Sequence, residues 1–184
     1  MRIRRLLILA AVFCFAVSGT AGAQEKGKAG VTIAYPGSIG LIWHATDKVA
    51  IRPTFSLAHS DSEVSTGTSE NESTNINLDL AVLFYLKKYD NVRTYISPRF
   101  EYSRTTSTTT TVNPSSLPEV TTTGTFTGGA GVFGAQYSPT GRFSVFGEVG
   151  LAFNHRRSES ESFATVAKTN TWGTTSGVGV IFYF

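Results

Sequence analysis

Three histidines, His44, His59 and His155, are the side chains best suited to moving protons near neutral pH. Two of them have hydroxyl or carboxylate neighbours: the run His59-Ser60-Asp61, and His155 with Ser158 three residues on. A nucleophilic serine needs a base within hydrogen-bond reach and a third group to orient that base. These runs supply the residue types. They sit, however, in segments made mostly of Ser, Thr and Glu, where such neighbours arise from composition alone. No strand carries a His-x-Ser motif, so no residue is assigned as catalytic and the chain is not read as an enzyme. Asp61, Glu63, Glu70 and Glu72 offer oxygen ligands for a divalent cation. Their spacing is irregular and no glycine shapes the turn a calcium loop needs. They read as a solvated acidic segment, and neither a metal nor another cofactor is expected.

The remaining charged residues of interest are Arg52, Asp79, Arg99, Glu101 and Glu148, with Arg93 further along. What they can do depends on which way the elements carrying them face. Val49, Ile51, Phe55 and Leu57 alternate with Ala50, Arg52, Thr54 and Ser56. Ile76, Leu78, Leu80, Val82, Phe84 and Leu86 alternate with Asn75, Asn77 and Asp79. Phe100 and Tyr102 flank Glu101, and Phe143, Val145, Val149, Leu151 and Phe153 oppose Ser144, Glu148 and Asn154. Such repeated period-two alternation indicates strands with one apolar and one polar face. The segment from Thr123 to Tyr137 is blurred by glycines, with Phe133 and Tyr137 placed on the apolar side and Gln136 opposite.

Connections alternate in length. Short ones read 45–48, 88–91 and 138–141, and long Ser/Thr/Asn/Glu-rich ones run about 60–74, 105–122 and 155–169. Six strands follow Val49, and Ser38–His44 is a seventh. An eighth in Gly30–Tyr35, turning at Pro36-Gly37-Ser38, would pair Tyr35 with Ile39, Ile33 with Leu41 and Val31 with Trp43. One long strand kinked at Pro36 is the competing reading.

The first 23 residues read as a cleaved secretory signal: Arg2, Arg4 and Arg5, the apolar stretch Leu6–Val17, then Ala21-Gly22-Ala23. Cys14 raises a lipoprotein alternative, which the bulky Phe13 before it disfavours. Without those three arginines, the 16 basic residues become 13, equal to the 13 acidic ones. The basic balance therefore belongs to export and does not point to nucleic acid. Cys14 leaves with the signal, so disulfide chemistry is not expected of residues 24–184. No segment there reaches the ~20 apolar residues of a membrane helix.

Two aromatic groups stand at opposite strand ends. Trp43, Phe84, Phe143, Phe182 and Phe184 lie near the short turns, and Tyr102, Phe153 and Trp172 near the long connections. With the alternating strands, the Gly147-Glu148-Val149-Gly150 centre and the ending Gly177-Val178-Gly179-Val180-Ile181-Phe182-Tyr183-Phe184, the chain resembles the small eight-stranded OmpA/OmpX-type bacterial outer-membrane β-barrels. That resemblance implies an all-β, eight-stranded antiparallel transmembrane barrel over residues 24–184, with short periplasmic turns and long extracellular loops. Larger members carry a periplasmic peptidoglycan-binding domain, for which this sequence shows no counterpart. The resemblance also implies outer-membrane lipid as surroundings. It implies contact with the barrel-assembly machinery through the C-terminal strand, Val178, Val180, Phe182 and Phe184. Arg52, Asp79, Arg99, Glu101 and Glu148 then face inward, as a hydrogen-bonded plug or as a gate. An eight-stranded interior is just wide enough for side chains to fill, which favours the plug. The function expected is structural or surface interaction through the long loops. A narrow solute pore, a lipid-modifying enzyme and a soluble lipocalin-like binder are the alternatives.

Overall fold

The computed structural model describes residues 26–63, 69–111, 120–160 and 165–184; residues 1–23, and with them the expected signal segment and Cys14, lie outside these. Eight strands follow in chain order: β1 Ala29–Tyr35, β2 Ser38–His44, β3 Val49–Glu63, β4 Ser69–Tyr89, β5 Val92–Thr111, β6 Val120–Thr140, β7 Phe143–Ser160 and β8 Thr165–Tyr183. Each pairs antiparallel with the next, and β1 pairs with β8, closing a barrel.

Closure follows from alternation. Every strand must bury one face, and a sheet curled on itself buries the inner face of all eight while leaving no edge where it closes. Partners traced from Asn170 through His155, Thr127, Tyr102, Leu78, Phe55, Ile39 and Ile33 return to β8 at Val180, ten residues further along. With ~3.3 Å per residue and ~4.8 Å between strands, that stagger sets a strand tilt of about 40°.

The β1–β2 hairpin exists as expected, in preference to a kinked strand, but its register differs. Val31 pairs with Leu41 and Ile33 with Ile39, so the turn lies one residue earlier than expected. Gly37, at φ 71°, is the residue that reverses the chain, as a left-handed turn position requires. The partners change by two, so inward and outward faces are unaffected.

A larger correction concerns the long connections. They are mostly strand. Ser60 pairs with Ser73, Asp61 with Glu72, Thr106 with Thr123, and Arg157 with Lys168, without interruption. The polar segments extend the ladder, and only 64–68, 112–119 and 161–164 fall outside the described residues. Val112, Pro114, Leu117 and Pro118 lie there, and Val120 opens β6 opposite Thr109. Because β1 and β2 are short, β3 beyond Phe55 and β8 before Val178 have no strand partner among the described residues on the side facing each other.

Candidate functional site

The two faces of the wall have opposite chemistry. Outward-pointing residues include Ile33, Leu41, Phe55, Leu80, Phe100, Phe133, Leu151 and Val178, all exposed. Aromatic cross-strand pairs mark both limits of this belt: Phe143 against Phe182, with ring centroids 5.3 Å apart, and Phe153 against Trp172, at 4.9 Å. Phe143 and Phe153 are ten residue steps apart on β7, about 25 Å along the axis at the tilt above. That equals the apolar height of outer-membrane barrels. In water so much exposed apolar surface would drive association; in a bilayer it is the solvated face.

The interior is layered. At the short-turn end it is apolar and aromatic, with Ile42, Leu83, Tyr85, Tyr95, Phe146, Ile181 and Tyr183 packed into one cluster. The expectation of a polar lining fails in this layer, where enclosed side chains replace water. Its hydroxyls and amides are partnered. Tyr85 donates to Gln136 Oε1 at 2.8 Å, and the Gln136 amide donates to Tyr183 Oη and Ser144 Oγ, each at 3.0 Å. His44 is buried here, its Nε2 3.1 Å from Tyr183 Oη and its ring stacked on Tyr85. Arg93, nearer the mouth, lies over the Tyr85 ring at 3.8 Å and donates to the Asp47 carbonyl at 2.7 Å.

Above this floor sits the charge cluster. Glu148, on β7, forms ion pairs with Arg52 of β3 and Arg99 of β5. Tyr95 donates to Glu148 Oε1 at 2.7 Å, and Asp79 Oδ2 lies 3.4 Å from Arg99 Nε. Arg52 also lies over the Phe146 ring, 4.6 Å from its centroid. Four of the five expected residues are thus brought together. Glu101 is not: it is half-buried on the same face and forms no ion pair among the described residues. Tyr95 was missed from sequence and is wholly buried. A signal was available, since it stands between Thr94 and Ile96, both outward, so parity alone turns it inward. Its ring fits because Gly134 faces it; a Cβ there would collide with the ring.

The histidines near the hairpin end have no serine partner among the described residues. His155 Nδ1 lies 2.7 Å from Asn170 Oδ1, and His59 meets Thr74, Asp61 and Glu72. Neither the His59-Ser60-Asp61 run nor His155 with Ser158 assembles a nucleophile and base.

Fold and belt define the class: a small eight-stranded integral outer-membrane β-barrel protein, surrounded by membrane lipid. No protein-family model matches the sequence, and no curated protein matches it. Among solved structures the chain is similar to a major outer membrane protein from Thermus thermophilus. That likeness has 14% identity, 85% of this chain and 98% of that chain covered, and a TM-score of 0.58. Looser likenesses are to CarO of Acinetobacter baumannii and to Ail, the attachment invasion locus protein of Yersinia pestis. CarO shows 13% identity over 86% of this chain and 98% of that one, with a TM-score of 0.47. Ail shows 12% over 86% and 99%, also with a TM-score of 0.47.

Proposed function

We propose that the protein is a non-enzymatic outer-membrane barrel that displays rigid polar hairpins at the cell surface. One observation carries this reading: β3 to β8 continue as paired ladders well beyond the apolar belt. A transmembrane strand needs only about 9–11 residues, whereas β4 and β6 each have 21. The excess is Ser, Thr, Asn and charged side chains, which suit an aqueous contact surface. The filled interior supports an anchoring role over transport, because Tyr95 and Phe146 fill the lumen in the short-turn layer and Arg52 and Glu148 fill it above them.

In this reading the short turns face the periplasm and residues 1–23 are removed on export, so the mature protein begins at Gln24. The outward row Val178, Val180, Phe182 and Phe184 on and after β8 is the surface that the assembly machinery meets. Protease treatment of intact cells, followed by mass mapping, tests the topology. Cleavage should fall within 60–74, 105–122 or 155–169 and spare 45–48 and 138–141. Cleavage at the short turns would reverse the orientation. Steady ion conductance of the purified protein in planar bilayers would replace the anchoring reading with a pore.

A further inference from the structure

The outer face of the β3–β4 hairpin carries three successive cross-strand pairs: Leu57 with Ile76, His59 with Thr74, and Asp61 with Glu72. The first belongs to the rim of the apolar belt. The third sets two carboxylates directly opposite each other. Like charges directly opposite destabilise a ladder, and a cation held between them would relieve that repulsion. Between the belt and the carboxylates stands His59. Its Nδ1 is 3.0 Å from Thr74 Oγ1, and its Nε2 is 3.2 Å from Asp61 Oδ1 and 4.0 Å from Glu72 Oε1. One ligand atom from each of His59, Asp61 and Glu72 lies within 4.8 Å of the others.

We infer that His59, Asp61 and Glu72 form a surface binding site for a divalent transition-metal ion of the zinc type. One imidazole nitrogen and two carboxylate oxygens suit zinc, and calcium and magnesium, which take oxygen ligands, gain little from an imidazole. At metal–ligand distances of ~2.0–2.1 Å, tetrahedral ligand atoms stand about 3.3 Å apart. The His59–Asp61 separation already matches this, and Glu72, 4.0 Å from Nε2 and within 4.8 Å of the Asp61 oxygen, closes by a change of rotamer. Thr74 is a positioning residue. Accepting from the protonated Nδ1, it fixes the tautomer that leaves the Nε2 lone pair towards the carboxylates, as outer-shell partners of metal-bound histidines do. Zinc then displaces the proton from any Nε2 that is protonated. Three protein ligands leave the fourth position to water or to an outside donor. The inference goes beyond the surface-display reading, since the site is a property of the purified protein however it is oriented.

The test uses tag-free full-length protein refolded in detergent, competed for Zn²⁺ against a chromogenic chelator. Wild type should take up one zinc per chain, with a millimolar excess of Ca²⁺ or Mg²⁺ failing to displace it. His59→Ala and Glu72→Gln should each weaken binding at least about tenfold, and Thr74→Val by about 10–100-fold. His155→Ala should leave it unchanged. All four positions lie in the hairpin extensions, and the shift in gel migration on boiling confirms that each variant is folded. Absence of saturable zinc uptake by wild type, or equal uptake by His59→Ala, would overturn the site. Displacement by calcium would overturn the zinc assignment.

Discussion

Glu148 accepts from three side chains on two other strands, Arg52, Tyr95 and Arg99, and is the acid that pairs with both guanidinium groups beside it. Removing one partner of a buried pair commonly costs ~3–5 kcal/mol, because the survivor keeps its desolvation penalty. Glu148→Gln should therefore destabilise the barrel by about that amount in urea unfolding, read by tryptophan fluorescence. Double-mutant cycles should show coupling of Glu148 to Arg52 and to Arg99, weaker coupling of Arg99 to Asp79, and none of Arg99 to Glu101. A Glu101 coupling as large as that of Glu148 would contradict the arrangement described. A second residue-scale test concerns Gly134. Gly134→Ala should cost about 1–3 kcal/mol through overpacking against Tyr95, with much of the loss recovered when Tyr95→Leu is added. Additive losses would mean that the two do not touch. Strand parity made four of the five cluster residues legible in the sequence. It also contained Tyr95, but an aromatic residue in a barrel is readily assigned to the belt, and that habit hid the hydroxyl that Glu148 uses.

Among the elements, the strands and their faces were readable because apolar and polar residues alternate wherever one side meets lipid. Beyond the belt both faces are wetted, the alternation disappears, and Thr105–Thr111 looks like a loop although it is a strand with regular partners on β4. Threonine is β-branched and favours strands, a propensity signal that outweighed the missing pattern. The register of β1 with β2 was missed for a different reason: a Pro-Gly-Ser run allows more than one turn, and parity is blind to a shift of two. The extensions carry their own backbone bonds but bury little apolar surface. Joining Thr105 directly to Gly124, which are partners, through a two-residue Asn-Gly turn should leave assembly intact. The shortened protein should still migrate anomalously until boiled. Identical migration of boiled and unboiled samples would show that this ladder is needed for folding.

At the scale of the whole molecule, the unequal strands make the wall uneven. The hairpin of β1 and β2 has seven residues a side, and six residue pairs join β1 to β8. The β4–β5 and β7–β8 ladders each continue for 18 pairs. Local opening follows the number of bonds that must break together, so amide hydrogen exchange should release the β1–β2 hairpin first, with four pairs holding it to β3 and six to β8, and β6 and β7 within the belt last. Protection of β1 equal to that of β7 would contradict this order.

The same short seam bears on how the ring comes to be closed. Gly30 pairs with Tyr183, so the last joint brings together chain ends about 150 residues apart. The entropy of such a closure grows only slowly with length, on the order of 4 kcal/mol plus a constant, but it falls on six residue pairs. Every other joint is a hairpin whose two sides are neighbours in sequence and can zip from their turn. The curled sheet from β2 to β8 can therefore be complete while the cylinder still gapes, with β1 arriving as the latch.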